Sequence, residues 1–331
     1  MVMLAIETSC DDTAVALLEN GIVKSNLVSS QNIHRQFGGV VPEMASREHQ
    51  KNMVYVAGAA LEASGIELKN IQAIAFTQGP GLPGSLMVGA SFAKGLALGL
   101  QVPLIAVNHM EAHILSLLIG NHSPDFPFLC LVVSGGHTML VLVENWNKMK
   151  IMGSTKDDAV GEAFDKCAKI LGLGYPGGRQ IDDLAKNGDP DRFAFPVAQM
   201  QGYDFSYSGV KTAFLYFIQG QEKTEIENEL HHICASVQKA LLKPLIEKLK
   251  IAITETGVRQ IGLAGGVAAN SSLRAQLAAL GNEMNCEVFV PDFQYCTDNA
   301  GMIGKAAMYK YEQAAFSRLN ITTEPRLKIG T

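Results

Sequence analysis

The chain has 331 residues, more than one hydrophobic core usually supports, so we expect two lobes. Hydrophobic residues make up 47% of the chain and charged residues 18%, and no run of about 18 apolar residues predicts a membrane helix. The N-terminus lacks the basic region of a signal peptide, and the six cysteines occur singly. Together these features predict a cytoplasmic protein without disulfides. The formal net charge of −5 excludes a globally basic RNA-binding surface, so any phosphate contacts would need local lysines or a partner protein.

The first predicted elements are two apolar strands that enclose a polar turn. Met3–Gly21 contains the turn E-T-S-C-D-D-T, and Asn20-Gly21 is a strong two-residue hairpin signal. A third strand is expected around Ile22–Val28. Pro42 then opens a helix that Gly65 closes, because proline suits the first helical position and glycine the position after the last. The remaining elements here are a strand over Ala73–Phe76 and a helix over Gly84–Leu100.

The same order of elements starts again in the middle of the chain. Leu129–Trp146 again contains two apolar strands around a small polar turn, here S-G-G-H-T, and a third strand is expected over Met149–Gly153. Later elements are helices near 157–171, 224–256, 269–280 and 299–315 and strands over 260–263 and 287–290. Two βββαβα units in tandem predict an α/β protein with the actin-like ATPase fold, of the ASKHA and ribonuclease H-like class. We expect an N-terminal lobe over 1–108, to which 303–331 returns, and a C-terminal lobe over 109–302 with helical insertions.

Two histidines four residues apart follow the predicted strand Leu104–Val107. In H-M-E-A-H, His109 and His113 project from the same face of a helix, and imidazole suits iron or zinc. Two histidines that only cap or line a helix would have the same spacing. A metalloprotease is excluded, because H-E-x-x-H needs its glutamate next to the first histidine, whereas Glu111 is two positions on and points about 200° away from His109.

A third metal ligand must come from elsewhere in the chain. Asp298, in C-T-D-N-A, directly precedes the last predicted helix, where an aspartate could equally serve as a helix cap. His34, His49 and His137 remain alternative third ligands on the sequence alone.

Glycine-rich loops at strand ends and helix starts indicate phosphate binding. The four loops cover residues 79–81, 134–136, 177–178 and 265–270. Asp158, Glu162 and Asp165 are predicted to share one helical stripe, with Asp165 placed to bond ribose hydroxyls and Asp182 able to do the same. Glycines also serve turns, and acidic stripes are often solvated faces, so each feature alone indicates little.

These residues together resemble one family over nearly the whole chain, the tRNA threonylcarbamoyladenosine synthase family in its bacterial TsaD branch, formerly described as O-sialoglycoprotein endopeptidase or glycoprotease. The matching segments are I-E-T-S-C-D-D-T (6–13), F-G-G-V-V-P-E-M-A-S-R-E-H (37–49), Q-G-P-G-L (78–82), N-H-M-E-A-H (108–113), V-S-G-G-H-T (133–138), G-E-A-F-D-K (161–166), L-G-L-G-Y-P-G-G (171–178), D-F-S-Y-S-G-V-K-T (204–212), G-G-V-A-A-N (265–270) and C-T-D-N-A (296–300). Arg179 departs from the pattern, since members of the family usually have proline there.

The resemblance implies a defined reaction and a set of site residues. L-threonylcarbamoyl would pass from threonylcarbamoyl-AMP to the exocyclic amine of adenosine 37 in tRNAs that read codons beginning with adenine, with release of AMP. One divalent metal ion per subunit, Fe²⁺ in preference to Zn²⁺, would be held by His109, His113 and Asp298. The implied substrate contacts are Val132, Val133, Ser134, Gly135, Gly136, Asp165, Gly178, Asp182 and Asn270. The implied partners are tRNA, a degenerate paralogue of the same fold and a small P-loop ATPase.

Asp11, in the first polar turn, is our predicted general base for the proton of the adenine amine, although turn chemistry alone would also explain an aspartate there. Two other functions remain open. A sugar or acetate kinase of the same fold would need an Asp on the first loop to bind magnesium, where this chain has Glu7. A non-catalytic scaffold would have no need of His109, His113 and Asp298.

Overall fold

A computed structural model describes residues 1–330, and for Arg35 the backbone alone. The chain divides into two compact units, of which the first comprises Met1–Ser123 and the chain from Pro291 onward, and the second comprises Pro124–Val290. These bounds differ from the predicted ones at 108 and 302, because the segments that carry His113 and Asp298 group with the first sheet. Within residues 1–330, no helix has the length and apolarity needed to cross a bilayer.

The first unit is built on a five-stranded sheet of order β3-β2-β1-β4-β5. β1 to β3 are antiparallel neighbours, and β4 and β5 continue the sheet in parallel with β1. Its strands are β1 (Val2–Glu7), β2 (Asp12–Glu19), β3 (Ile22–Ser30), β4 (Ala73–Gly79) and β5 (Leu104–Asn108). Its helices are α1 (Pro42–Ser64), α2 (Pro83–Leu100), α3 (His109–Leu115) and, from the end of the chain, α9 (Ala300–Glu312).

The second unit repeats this sheet with the order β10-β9-β6-β7-β8. β6 to β8 are antiparallel, and β9 and β10 run parallel to β6. Its strands are β6 (Phe128–Val133), β7 (Thr138–Asn145), β8 (Lys148–Ser154), β9 (Gln260–Ala264) and β10 (Glu287–Phe289). Its helices are α4 (Val160–Ile170), α5 (Gly178–Ala185), α6 (Ser208–Gln219), α7 (Lys223–Thr256) and α8 (Ser271–Met284). The predicted duplication and fold class are therefore confirmed.

Local sequence signals account for most of these elements. Asn20 and Gly21 both have positive φ angles, 51° and 81°, as a tight hairpin turn between β2 and β3 requires. Pro42 starts α1, and Gly65 ends it in the left-handed region with φ 67°. The core of the first unit lies between its sheet and the helices α1 and α2, with Leu4, Ile6 and Phe76 among its buried side chains.

Two helices of the second unit, α5 and α6, are absent from the sequence prediction. Both begin at residues that read as loop, and in both cases a distant carboxylate satisfies the first N–H groups. Asp165 accepts hydrogen bonds from the backbone N–H groups of Gly177 and Gly178 at the start of α5. Asp157 accepts from the Tyr207 N–H at 2.8 Å and the Ser208 hydroxyl at 2.7 Å at the start of α6. Because each capping carboxylate is distant in the sequence from the helix that it caps, no local pattern predicts these two helices.

Candidate metal centre and donor-binding loops

The helix α3 begins directly where the strand β5 ends. The Asn108 side-chain oxygen caps it by accepting hydrogen bonds from the N–H groups of Met110 at 2.9 Å and Glu111 at 3.2 Å. His109 and His113 are both buried, and their ring centroids lie 4.6 Å apart in an edge-to-face arrangement. The spacing of four residues therefore brings the two imidazoles together on one helical face, as predicted.

Asp298 completes this group. The cap of α9 is Asn299, whose side-chain oxygen accepts from the Met302 N–H at 3.0 Å, so Asp298 does not serve as the cap. Its Oδ1 atom lies 3.0 Å from His113 Nε2 and 3.5 Å from His109 Nε2. One ligand atom from each of the three residues lies within 4.8 Å of the others, a geometry that can hold a metal ion.

The alternative third ligands are placed elsewhere. His34 pairs through Nε2 with Gln31 at 2.8 Å and accepts from the Val41 N–H at 3.3 Å. His49 contacts the Thr13 hydroxyl at 2.8 Å and the Cys10 carbonyl at 2.9 Å. His137 donates its backbone N–H to the Ser134 hydroxyl at 3.0 Å. Among the residues that the structure describes, the group that could hold a metal ion contains Asp298 and none of these three histidines.

Glu7 stands behind His109 and was missed as a site residue by sequence reasoning. It is fully buried at the end of β1, and its Oε2 accepts from the Thr77 hydroxyl and from His109 Nδ1–H, the latter at 3.1 Å. Its Oε1 accepts from the Ser9 N–H. This arrangement fixes the His109 ring with Nε2 toward Asp298, as carboxylates behind metal-binding histidines do. The available signal was a glutamate closing a buried strand, since a buried carboxylate needs partners.

The electrostatics of the group call for a positive charge. Burial opposes protonation of His109, but the charges of Glu7 and Asp298 outweigh it and raise the pKa of His109 to about 9. Burial raises the pKa of Glu7, yet the charge and hydrogen bond of His109 bring that pKa below its ordinary value. A proton on His109 thus balances the carboxylates, and a divalent cation would do the same. Two imidazoles and one carboxylate are a donor set that fits both Fe²⁺ and Zn²⁺.

Asp11 lies in the turn between β1 and β2, and that turn is held from behind by α1 and α2. The Cys10 carbonyl accepts from His49 Nε2–H at 2.9 Å and from the Ser85 hydroxyl at 3.2 Å. The Asp11 carbonyl accepts from the Gln31 N–H at 3.2 Å. The half-buried Asp11 therefore projects from a turn whose backbone is fixed on both sides.

The predicted donor-binding residues all lie in the second unit, most of them at the ends of strands or the starts of helices, with Asp165 inside α4 and Asp182 inside α5. Val132 and Val133 are buried strand residues of β6, so only their backbone could meet a ligand. In the turn that follows, the Ser134 N–H donates to the His137 carbonyl at 2.8 Å, and the His137 N–H donates to the Ser134 hydroxyl at 3.0 Å. Gly135 and Gly136, by contrast, are exposed at the tip of this turn.

The remaining polar residues of this set are engaged in hydrogen bonds. Asp165 accepts from the N–H groups of Gly177 and Gly178, so that these donors are already satisfied by a carboxylate. Asp182 accepts from the Ser271 N–H at 3.0 Å and from its hydroxyl at 2.9 Å. Asn270 caps α8 through the Leu273 N–H at 2.8 Å and donates to Gln238 at 2.8 Å. These contacts tie the start of α5 to α4, and the start of α8 to α5 and α7.

The predicted stripe of three carboxylates on one helix is wrong for Asp158. α4 begins only at Val160, so Asp158 precedes the helix. Its carboxylate pairs with Lys166 at 2.7 Å and with Lys211 at 2.8 Å. Glu162 also pairs with Lys166, at 2.7 Å, which leaves Asp165 as the carboxylate of this group that faces α5.

Comparison with known proteins relates this geometry to a family. A model of the family described as TsaD, tRNA N6-adenosine threonylcarbamoyltransferase, matches residues 21–305. The tRNA N6-adenosine threonylcarbamoyltransferase of Christiangramia forsetii is 52% identical over 98% of both chains. That of Cytophaga hutchinsonii is 49% identical over 99% of this chain and 96% of its own.

Solved structures share the fold at low identity. T. kodakarensis HypF is 16% identical with a TM-score of 0.64, covering 95% of this chain and 48% of its own. Component A of the Acidaminococcus fermentans (R)-2-hydroxyglutaryl-CoA dehydratase is 14% identical with a TM-score of 0.55, covering 95% of this chain and 99% of its own.

Proposed function

The chain belongs to the tRNA N6-adenosine threonylcarbamoyltransferase family and is a threonylcarbamoyltransferase that acts on tRNA, and from this premise we propose its donor, its acceptor atom and the roles of its residues. The donor is L-threonylcarbamoyl-AMP. The acceptor is the exocyclic amine of adenosine 37 in tRNAs that read codons beginning with adenine. The observation that carries the proposal is the meeting of His109, His113 and Asp298, backed by the buried Glu7.

The transfer exchanges one bond for another at the carbamoyl carbon. The amine nitrogen attacks this carbon, the new carbon–nitrogen bond forms, and the bond to the phosphate oxygen breaks with its electron pair leaving on AMP. An adenine amine is a weak nucleophile, and Asp11 accepts the proton that it loses. The backbone N–H groups of Gly135 and Gly136, at the tip of the loop 132–136, hold the departing phosphate, since oriented donors stabilise charge that develops during reaction. Asp165, Gly178, Asp182 and Asn270 contact the nucleoside of the donor.

We propose one divalent metal ion per subunit, Fe²⁺ in preference to Zn²⁺. His109, His113 and Asp298 would hold it, because two histidines and a carboxylate are typical of non-haem Fe²⁺ and also bind Zn²⁺. When bound, the ion supplies Lewis-acid polarisation of an oxygen of the substrate. The contribution of Glu7 is to keep the Nδ1 proton of His109 in place, so that Nε2 is available to the ion.

We propose that the protein works with tRNA, a degenerate paralogue of its own fold and a small P-loop ATPase. The net charge of −5 supports partners that contribute phosphate contacts. The cytoplasm is the proposed location, in agreement with a tRNA substrate and with cysteines that occur as free thiols among the described residues.

Nucleoside mass spectrometry of tRNA tests this proposal. Purified chain, synthetic threonylcarbamoyl-AMP, tRNA and the two partners are incubated, and threonylcarbamoylated adenosine is quantified. Asp11→Asn should lower the initial rate by about 100- to 10,000-fold at unchanged metal content. The double variant His109→Ala, His113→Ala should lose both metal and product.

A matched control removes two imidazoles elsewhere. His231 and His232 lie on α7, and each makes a single hydrogen bond to backbone, to Leu184 and Asp189 respectively. Replacing both by alanine should leave the rate unchanged. A wild-type rate in the His109, His113 double variant would show that the reaction does not need the metal centre. A wild-type rate in Asp11→Asn would show that Asp11 is not the general base.

A further inference from the structure

The helix that carries both histidines is too short to be stable without contacts to the rest of the unit. α3 has 7 residues, and helices this short are not stable in isolation. His109 is the first residue of α3 and directly follows the cap residue Asn108, so a displaced Asn108 would also displace a proposed metal ligand. Contacts around the start of α3 therefore bear on where the imidazoles lie.

A segment from the end of the chain runs along the first unit toward this helix. We call Ser317–Gly330 the C-terminal strap. It starts at the edge strand β5, where the Ser317 N–H donates to the Leu104 carbonyl at 2.7 Å and the Ala106 N–H donates to the Ser317 hydroxyl at 3.0 Å. It then crosses the end of β4, where the Glu324 N–H donates to the Gln78 carbonyl at 2.8 Å.

The strap is closely seated on this path. The Gly81 N–H donates to the Pro325 carbonyl at 3.2 Å, and the Gln78 amide donates to the Thr322 carbonyl at 3.2 Å. A Cβ atom on Gly79 would lie 1.9 Å from the Glu324 carbonyl oxygen, so the backbones meet where only glycine fits. Such close approach makes the strap a fixed part of the unit, able to serve as a support for its neighbours.

At its far end the strap contacts α3 twice. Asn108 Nδ2–H donates to the Lys328 carbonyl at 2.7 Å, and the Gly330 N–H donates to Glu111 Oε1 at 2.9 Å. Asn108 thus uses both ends of its amide, with Oδ1 on the N–H groups of α3 and Nδ2 on the strap. Glu111, on the helical face away from His109, is held by the same segment.

We propose that Asn108 is a positioning residue that couples the C-terminal strap to α3, so that the strap determines the placement of His109 and the affinity for metal. The inference rests on the proposed metal centre. One continuous segment then supplies the ligand Asp298 before α9 and supports the other two ligands after it. Asn108 itself does not bind the metal ion in this proposal, and the ligands remain His109, His113 and Asp298.

The test separates the strap contact from the helix cap. Asn108→Asp keeps an oxygen for the N–H groups of Met110 and Glu111 but loses the donor to Lys328. A chain that ends at Leu327 leaves Asn108 and α3 unaltered and removes both strap contacts. Gln276→Glu is the matched control, because it replaces the same kind of amide donor, to the Ser272 hydroxyl at 3.1 Å, within α8 and without touching the strap.

Each variant, purified without metal, is titrated with Co²⁺ and with Zn²⁺, and the visible absorption of bound Co²⁺ reports the geometry of its ligands. Asn108→Asp and the chain ending at Leu327 should each lower affinity about 10- to 100-fold and change the spectrum, as loss of supporting contacts around metal ligands does. Gln276→Glu should match the wild type. Combining Asn108→Asp with the truncation should add nothing to the truncation alone, because the truncation already removes the Asn108–Lys328 contact.

The outcomes distinguish the two proposals. If Asn108→Asp and the truncated chain bind Co²⁺ with the affinity and spectrum of the wild type, the strap has no positioning role. If their combined losses add fully, Asn108→Asp acts by its charge, which also overturns the inference. If the wild type binds Co²⁺ no better than His109→Ala, His113→Ala, the metal centre itself fails. Should Asn108→Asp not fold, the truncated chain decides alone.

Discussion

Replacing Gly265 by alanine should lower both the stability of the protein and its transfer rate. Gly265 follows β9 with φ 90° and ψ 168°, a conformation that is essentially restricted to glycine. A Cβ atom there would lie 2.4 Å from the carbonyl oxygen of Val133 and 2.9 Å from its carbonyl carbon. Val133 ends β6 directly before the Ser134 turn, so Gly265→Ala should push the proposed phosphate-binding loop out of place.

The expected magnitude has two parts. Ordinary contact begins at 3.4 Å, so the carbonyl of Val133 must retreat by 3.4 − 2.4 = 1.0 Å. Backbone strain of about 1–3 kcal/mol and overpacking of about 1–3 kcal/mol should together lower the free energy of unfolding by about 2–6 kcal/mol. A displacement of this size in a substrate-positioning loop should lower the transfer rate about 100-fold.

Urea unfolding followed by circular dichroism and single-turnover transfer with excess enzyme measure the two effects. Gly257→Ala is the control, because Gly257 has φ 68° and its Cβ would meet nothing within 4 Å, so only the left-handed backbone cost of about 1–2 kcal/mol remains. If Gly265→Ala were no less stable than Gly257→Ala and transferred at the wild-type rate, the contact with Val133 would carry no weight and the reasoning would be refuted.

Three further predictions concern other groups. Burial, with the charges of Asp298 and Asp11, raises the pKa of Asp12 to about 7, so the folded metal-free protein holds a proton that the unfolded chain releases, and the free energy of unfolding should fall between about pH 4 and pH 7. Asp12→Asn should therefore raise the urea midpoint relative to wild type at pH 8 and change it little at pH 4. An equal gain at both pH values would contradict this. His49→Ala removes the hydrogen bonds of His49 to the Cys10 carbonyl and the Thr13 hydroxyl and should lower the free energy of unfolding in urea by about 2–3 kcal/mol, with His49→Gln closer to wild type. Equal losses in the two variants would show that packing alone matters. Burial raises the pKa of Cys167 to about 12, so this thiol should react with a disulfide reagent at pH 8 only after unfolding, and rapid labelling of native protein, located by peptide mass spectrometry, would argue against that burial.

Much of the fold was predictable because its signals are local. The Asn20-Gly21 turn, the Pro42 and Gly65 ends of α1, and the repeated apolar hairpins depend on residues two to four positions apart. The histidine pair is of the same kind, since helical spacing alone brings His109 and His113 to one face. The duplicated order of elements then led from these signals to the two five-stranded sheets.

Only the tertiary structure decided which distant groups meet. Asp298 lies 185 positions from His113, and Glu7 lies 102 positions from His109, so no periodicity links them. The caps of α5 and α6 by Asp165 and Asp157 were hidden for the same reason, as was the strap that reaches Asn108 from 220 residues away. Sequence determines the local conformation of each segment, whereas burial of a charge or an N–H group requires a partner that packing alone can deliver.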